Sequence, residues 1–170
     1  MRYISAPWRA NYVRSSRTGG PCAFCAALKS RDDREASVLF RGRRTFILLN
    51  KFPYTPGHMM IAPRRHSGDF AAARPQEAAE LVELLRLAVK VLQAAYAPQG
   101  FNTGMNLGLS AGAGIADHYH MHVVPRWTGD SNFMPLVGGT RVFIEDLGTT
   151  YERLRPLFDE AKRRLERTRQ

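Results

Sequence analysis

Asp117-His118-Tyr119-His120-Met121-His122-Val123-Val124-Pro125-Arg126-Trp127 sets three of the chain's five histidines at every second position. The interleaved Tyr119 and Met121, followed by Val123 and Val124, favour a β-strand over a helix. In a strand, residues i, i+2 and i+4 share one face at roughly 6.6 Å intervals. His118, His120 and His122 therefore line one surface, and Tyr119, Met121 and Val123 take the other.

Two chemistries suit such a row. A single zinc needs each ligand nitrogen about 2.0 Å away, yet the outer two residues start roughly 13 Å apart along the strand. One ion does not gather all three rings. Neutral imidazoles, with an ordinary pKa near 6.5, instead offer one ring as a nucleophile while its neighbours orient it and donate hydrogen bonds to developing negative charge. That arrangement suits phosphoryl or nucleotidyl transfer. Solvated histidines on a sheet face are the bland alternative, common for one histidine but poorly matched to three in register beside the glycine-rich loop 108–114.

Working outward from the triad, Phe101–Leu107 reads as a strand leading into that loop. Arg74-Pro75-Gln76-Glu77 opens a long helix, with Leu81, Leu84, Leu85, Ala88, Val91, Leu92 and Ala95 at helical spacing, ended by Pro98-Gln99-Gly100. Upstream, Ala36–Phe40 and Thr45–Asn50 flank Arg41-Gly42-Arg43 as a hairpin, Pro53–Gly57 is turn chemistry, and His58–Pro63 is a further strand. A basic amphipathic helix, interrupted at Pro156, is expected from about Thr150 to Arg167. The fold class is α+β: an antiparallel sheet of about five strands with one long helix and a C-terminal helix, an order that excludes a doubly wound fold.

The 170 residues, 44% hydrophobic and 24% charged, describe a globular chain able to bury its own core. The N-terminal residues offer no apolar signal-peptide core, and no window is long and apolar enough for a membrane helix. Cys22 and Cys25, one CxxC in such a chain, point to a reducing cytoplasm. The net charge of +10 is concentrated early, with eleven Lys/Arg against three Asp/Glu in residues 1–51. Such a field attracts phosphate-rich ligands, although a solvated basic surface explains it equally well.

His118-Tyr-His120-Met-His122-Val-Val resembles the histidine triad (HIT) motif. Phe46-Ile-Leu-Leu-Asn50, Pro56-Gly57-His58, Pro63-Arg64, Val123-Val-Pro-Arg126 and Gly129-Asp130 are similar, in order and spacing, to the fragile histidine triad branch of dinucleoside polyphosphate enzymes. Ala111–Asp117 and Trp127–Pro135 look most like the bacterial diadenosine tetraphosphate phosphorylases of that superfamily. The resemblance divides the chain into a basic arm (1–21), a HIT domain (22–154) and a C-terminal helical extension (155–170).

What it implies is nucleotidyl transfer, with diadenosine tetraphosphate and inorganic phosphate giving ATP and ADP. His120 would attack the α-phosphorus, His122 would hydrogen-bond the phosphate oxygens, and the backbone at His118 would fix the tautomer of His120. His58 would stand near the same phosphate, Asn50 would contact ribose and phosphate, and Asn106 would face the phosphates from the adjacent strand. Gly112, Ala113 and Gly114 would bring backbone N–H groups to the polyphosphate.

The hydrolase branch carries a glutamine where this chain has Gly114, and the room so opened favours phosphate over water as acceptor. Ser131 and Asn132 would hold the incoming phosphate, and Trp127 would either stack on a base or fill the core. The resemblance implies no cofactor for the chemistry. For Cys22, Cys25, His66 and His118 two readings stay open, a structural zinc or a buried reduced thiol pair. A homodimer or larger homo-oligomer is implied, with nucleic acid not an expected partner. A hydrolase of the same substrates and a non-catalytic nucleotide or nucleic-acid binder are the competing functions.

Overall fold

The computed structural model describes residues 21–130 and 145–167. Residues 1–20 of the expected basic arm lie outside the described residues, as do Ser131 and Asn132. Five antiparallel strands form one sheet in the order β1-β2-β3-β5-β4: β1 (Val38–Arg41), β2 (Thr45–Leu49), β3 (Met59–Pro63), β4 (Gly100–Met105) and β5 (Met121–Arg126). Strand alternation sorts the side chains into two cores. Leu39, Ile47, Leu49, Met59, Ile61, Tyr119 and Val123 face one side, while Val38, Phe46, Leu48 and Ala62 face the other. Both sides of β2 are covered, so all five of its residues are buried.

The first side is covered by α2 (Pro75–Tyr96), which presents Leu81, Leu84, Ala88, Val91 and Leu92 to the sheet. Its first turn is closed by the Glu77 carboxylate, which accepts the Arg74 N–H at 3.1 Å. Ala97 ends it in the left-handed conformation, and Pro98 follows. α3 (Leu147–Arg167) packs beside it through Tyr151, Leu154 and Phe158. This helix starts three residues earlier than expected and runs unbroken through Pro156. Proline removes one N–H donor, but Leu154 and Phe158 are fully buried on either side. Arg155 is also tied to Asp159, Asp33 and the Val38 carbonyl. Tertiary contacts, not propensity, carry the helix there.

The second side is covered by a seven-residue helix that the sequence reading missed, α1 (Ala23–Lys29), through Phe24 and Ala27. Its last carbonyls are satisfied from β1. The Arg41 guanidinium donates to Ala27 O (3.1 Å), Leu28 O (3.1 Å) and Ser30 O (3.2 Å) and pairs with Asp33. Cys22 caps this helix and Cys25 lies in its first turn.

Candidate active site

The triad keeps strand alternation although β5 begins only at Met121. Tyr119 donates its N–H to Ser67 O at 2.8 Å instead of joining the ladder, yet its ring still enters the helix-side core. His118 and His120 thus stay on the α1 side of the sheet, as the period of two requires. Their rings lie 5.0 and 4.8 Å from that of Phe24, and the His120 and His122 ring centres are 4.9 Å apart.

On this side of the sheet, His122 pairs with Met60, Met60 with Leu48 and Leu48 with Val38. The first three form the floor of a cavity of about 820 Å³ that runs beneath α1. Asn50, Asn106, Gly112, Gly114 and His120 also line it. The cavity therefore has an apolar body and a nitrogen-rich end, the build of a site for a ligand with one apolar and one charged part.

Hydrogen bonds assign the ring protons. His120 Nδ1 faces the carbonyl of His118 at 2.9 Å, so Nδ1 carries the hydrogen and Nε2 keeps its lone pair for attack. Burial pushes the His120 pKa below the ordinary imidazole value, against the opposite pull of that carbonyl, so the ring is neutral near pH 7. A second relay sets the neighbour. The Tyr54 N–H donates to His58 Nδ1 at 3.0 Å. His58 Nε2 is left to donate to His122 Nδ1, also at 3.0 Å, which puts the His122 hydrogen on Nε2. Adjacent rings thus present one acceptor and one donor. Asn50 is buried beside His58, its amide nitrogen 3.4 Å from the ring and its Oδ1 accepting the Phe52 N–H at 2.9 Å.

The loop after β4 behaves differently from expectation. Gly112, at φ 87°, supports a tight 3-10 turn over Leu109–Ala111. Its N–H bonds to Leu109 O (2.9 Å), and that of Ala113 to Gly108 O (3.3 Å). Two of the three amides expected to meet a polyphosphate are thus engaged by the loop itself, and Ala113 is buried. Gly112 and Gly114 do line the cavity. Trp127 does not: its indole meets Tyr96 edge-on at 6.4 Å, on the helix side that its odd position predicts. Tyr54 was missed because Pro53–Gly57 reads only as a turn, although its adjacency to His58 was a usable signal.

Beyond His120, four more ligand atoms converge. Those of Cys22, Cys25, His66 and His118 lie within 4.8 Å of one another. Cys22 Sγ and Cys25 Sγ are 3.4 and 3.8 Å from His118 Nδ1, and Cys25 Sγ is 3.4 Å from His66 Nδ1. Thiolate and imidazole ligands at tetrahedral zinc stand about 3.3–3.8 Å apart. His118 also donates Nε2–H to Pro63 O at 2.8 Å, the outer hydrogen bond by which metal-bound imidazoles are oriented. Donor set, spacing and outer contact all fit zinc.

The chain belongs to the HIT family, whose HIT domain matches residues 31–129. It is 36% identical over 157 residues, 88% of this chain and 80% of the relative, to the AP-4-A phosphorylase of Mycobacterium tuberculosis. It is 26% identical over 102 residues, 60% of this chain and 56% of the relative, to the asymmetrical bis(5'-nucleosyl)-tetraphosphatase of Schizosaccharomyces pombe. Its fold is shared with a zinc-bound histidine triad family protein from Mycobacterium smegmatis, at TM-score 0.65 and 22% identity over 86% of this chain and 97% of that one.

Proposed function

We propose that this protein is a nucleotidyltransferase that cleaves diadenosine tetraphosphate with inorganic phosphate to give ATP and ADP. The observation that carries the reading is the pairing of an unprotonated His120 Nε2 with a His122 Nε2–H at the polar end of the cavity. His120 Nε2 attacks the α-phosphorus and the P–O bond to the departing ATP breaks. His122 donates a hydrogen bond to the charge that develops on that oxygen. The His118 carbonyl stabilises the positive charge that spreads to Nδ1 of the adenylylated ring. A phosphate oxygen then attacks the same phosphorus, the N–P bond breaks, ADP leaves and the ring is neutral again. Identity to the M. tuberculosis phosphorylase over most of the chain supports this reaction. The bare Gly114 on the cavity wall supports phosphate as the acceptor. Products separated with and without phosphate test it: ATP plus ADP only when phosphate is present is expected, and phosphate-independent AMP plus ATP would reassign the protein as a hydrolase.

Three further readings belong to this proposal. Cys22, Cys25, His66 and His118 hold a structural zinc, which supplies rigidity and takes no part in the chemistry. The chain pairs with a second copy along β4, one of the two edge strands of the sheet, and its mass in solution checks this. Reduced thiolate ligands suit a cytoplasmic protein, and a fluorescent fusion would locate it.

A further inference from the structure

The cavity has a second polar end, far from the histidines. Glu35 is the one carboxylate among the described lining residues; His120, His122 and Lys51, which also line it, all suit phosphate. Glu35 lies just upstream of β1 and the histidine pair lies at the start of β5, His120 just before it and His122 on it, three inter-strand steps away across the floor, roughly 14 Å at ordinary strand spacing. That span is the reach of a nucleotide from its phosphate to the far edge of its base. Phe24, Ala27, Leu48 and Met60 fill the space between with apolar surface, as a base requires.

The backbone around Glu35 is held in place. The Asp32 carboxylate accepts the N–H groups of Arg34 (2.8 Å) and Glu35 (3.0 Å). Buried Ser37 adopts a left-handed φ of 58°, and β1 carries a register shift between Val38 and Phe40. Such strained residues and bulges re-aim side chains beside functional sites. Ser30, nearby on the wall, has its hydroxyl engaged with Asp32 O at 3.0 Å, so the carboxylate is the accepting group at this end.

We propose that Glu35 reads the base, accepting a hydrogen bond from the 6-amino group of adenine and disfavouring a 6-oxo purine, whose oxygen would face the carboxylate. The inference rests on the nucleotide-binding reading above. Calorimetric titration of AMP, IMP and GMP tests it on the full chain, in wild type, Glu35→Gln and Glu35→Ala. Wild type is expected to bind AMP about tenfold more tightly than IMP. Glu35→Gln, whose amide both donates and accepts, narrows that ratio to within about threefold, and Glu35→Ala weakens AMP without weakening IMP. Equal wild-type affinities, an unchanged ratio in Glu35→Gln, or tighter binding of GMP than AMP would overturn this assignment alone. Failure of wild type to bind any of the three would overturn both it and the proposed function.

Discussion

The carbonyl of His118 accepts the Nδ1–H of His120 at 2.9 Å, while the ring of the same His118 sits 3.4 Å from Cys22 Sγ. One residue thus serves the candidate metal cluster through its side chain and the proposed nucleophile through its backbone. Replacing His120 by Asn is expected to lower turnover of diadenosine tetraphosphate at least about a thousandfold, since among the described residues no other ring offers its lone pair there. AMP affinity should stay within severalfold. Retention of full turnover in that variant would remove His120 from the chemistry.

The cluster makes a prediction separate from catalysis. Protein purified with zinc should hold about one ion per chain, and Cys22→Ser or Cys25→Ser should hold much less and melt several degrees lower. Mass spectrometry under native conditions and a thermal scan read the two effects. An unchanged melting curve in metal-free protein would argue for a plain thiol pair.

Acid should loosen the start of α2. Hydrogen bonds from Arg65 (3.0 Å) hold the Glu77 carboxyl below its ordinary value, against the opposing effect of burial. Because the folded-state value is depressed, the stabilisation is present above the unfolded carboxylate pKa of about 4.3 and is lost as pH falls through the folded value. Glu77→Gln should lower stability at pH 7, because it takes the charged partner from Arg65, and should flatten the acid limb of the stability curve. Urea midpoints between pH 7 and pH 3 check both; parallel acid limbs would mean that other carboxylates dominate.

Gly57 is expected to resist substitution. Its φ is 77°, and a Cβ there would stand 2.8 Å from Leu92 Cδ2 and 3.1 Å from Tyr96 Cε2. Gly57→Ala combines left-handed strain with overpacking and should destabilise by about 2 kcal/mol or more. Since Gly57 precedes His58, the hydrogen bond to His122 should suffer too, visible as changed imidazole resonances by NMR. A variant with wild-type stability would show that the turn opens freely.

The sequence revealed most where a period was long or rare. Three histidines at spacing two placed their rings on one face, and the stripe Leu81–Leu92 located the long helix. It revealed little where the order is set by distant partners. α1 has only two buried residues, too few to show a period, and its end is closed by Arg41, whose role no local pattern announces. The Tyr54–His58–His122 relay was hidden for the same reason: it joins a turn amide to a ring on another strand. Trp127 meets Tyr96 edge-on on the helix side of the sheet, and the loop's own hydrogen bonds at Gly112 and Ala113 follow from a turn type that small residues permit but do not dictate.

α1 has two tenants. Cys25 on one side of it belongs to the cysteine–histidine cluster, while Ala23, Phe24, Ala26 and Ala27 roof the cavity. Anything that fixes this short helix from one side therefore favours occupancy of the other, and such coupling must be mutual. With zinc in that cluster, nucleotide should slow the escape of the ion into a chelator to the same degree that the ion sharpens nucleotide affinity.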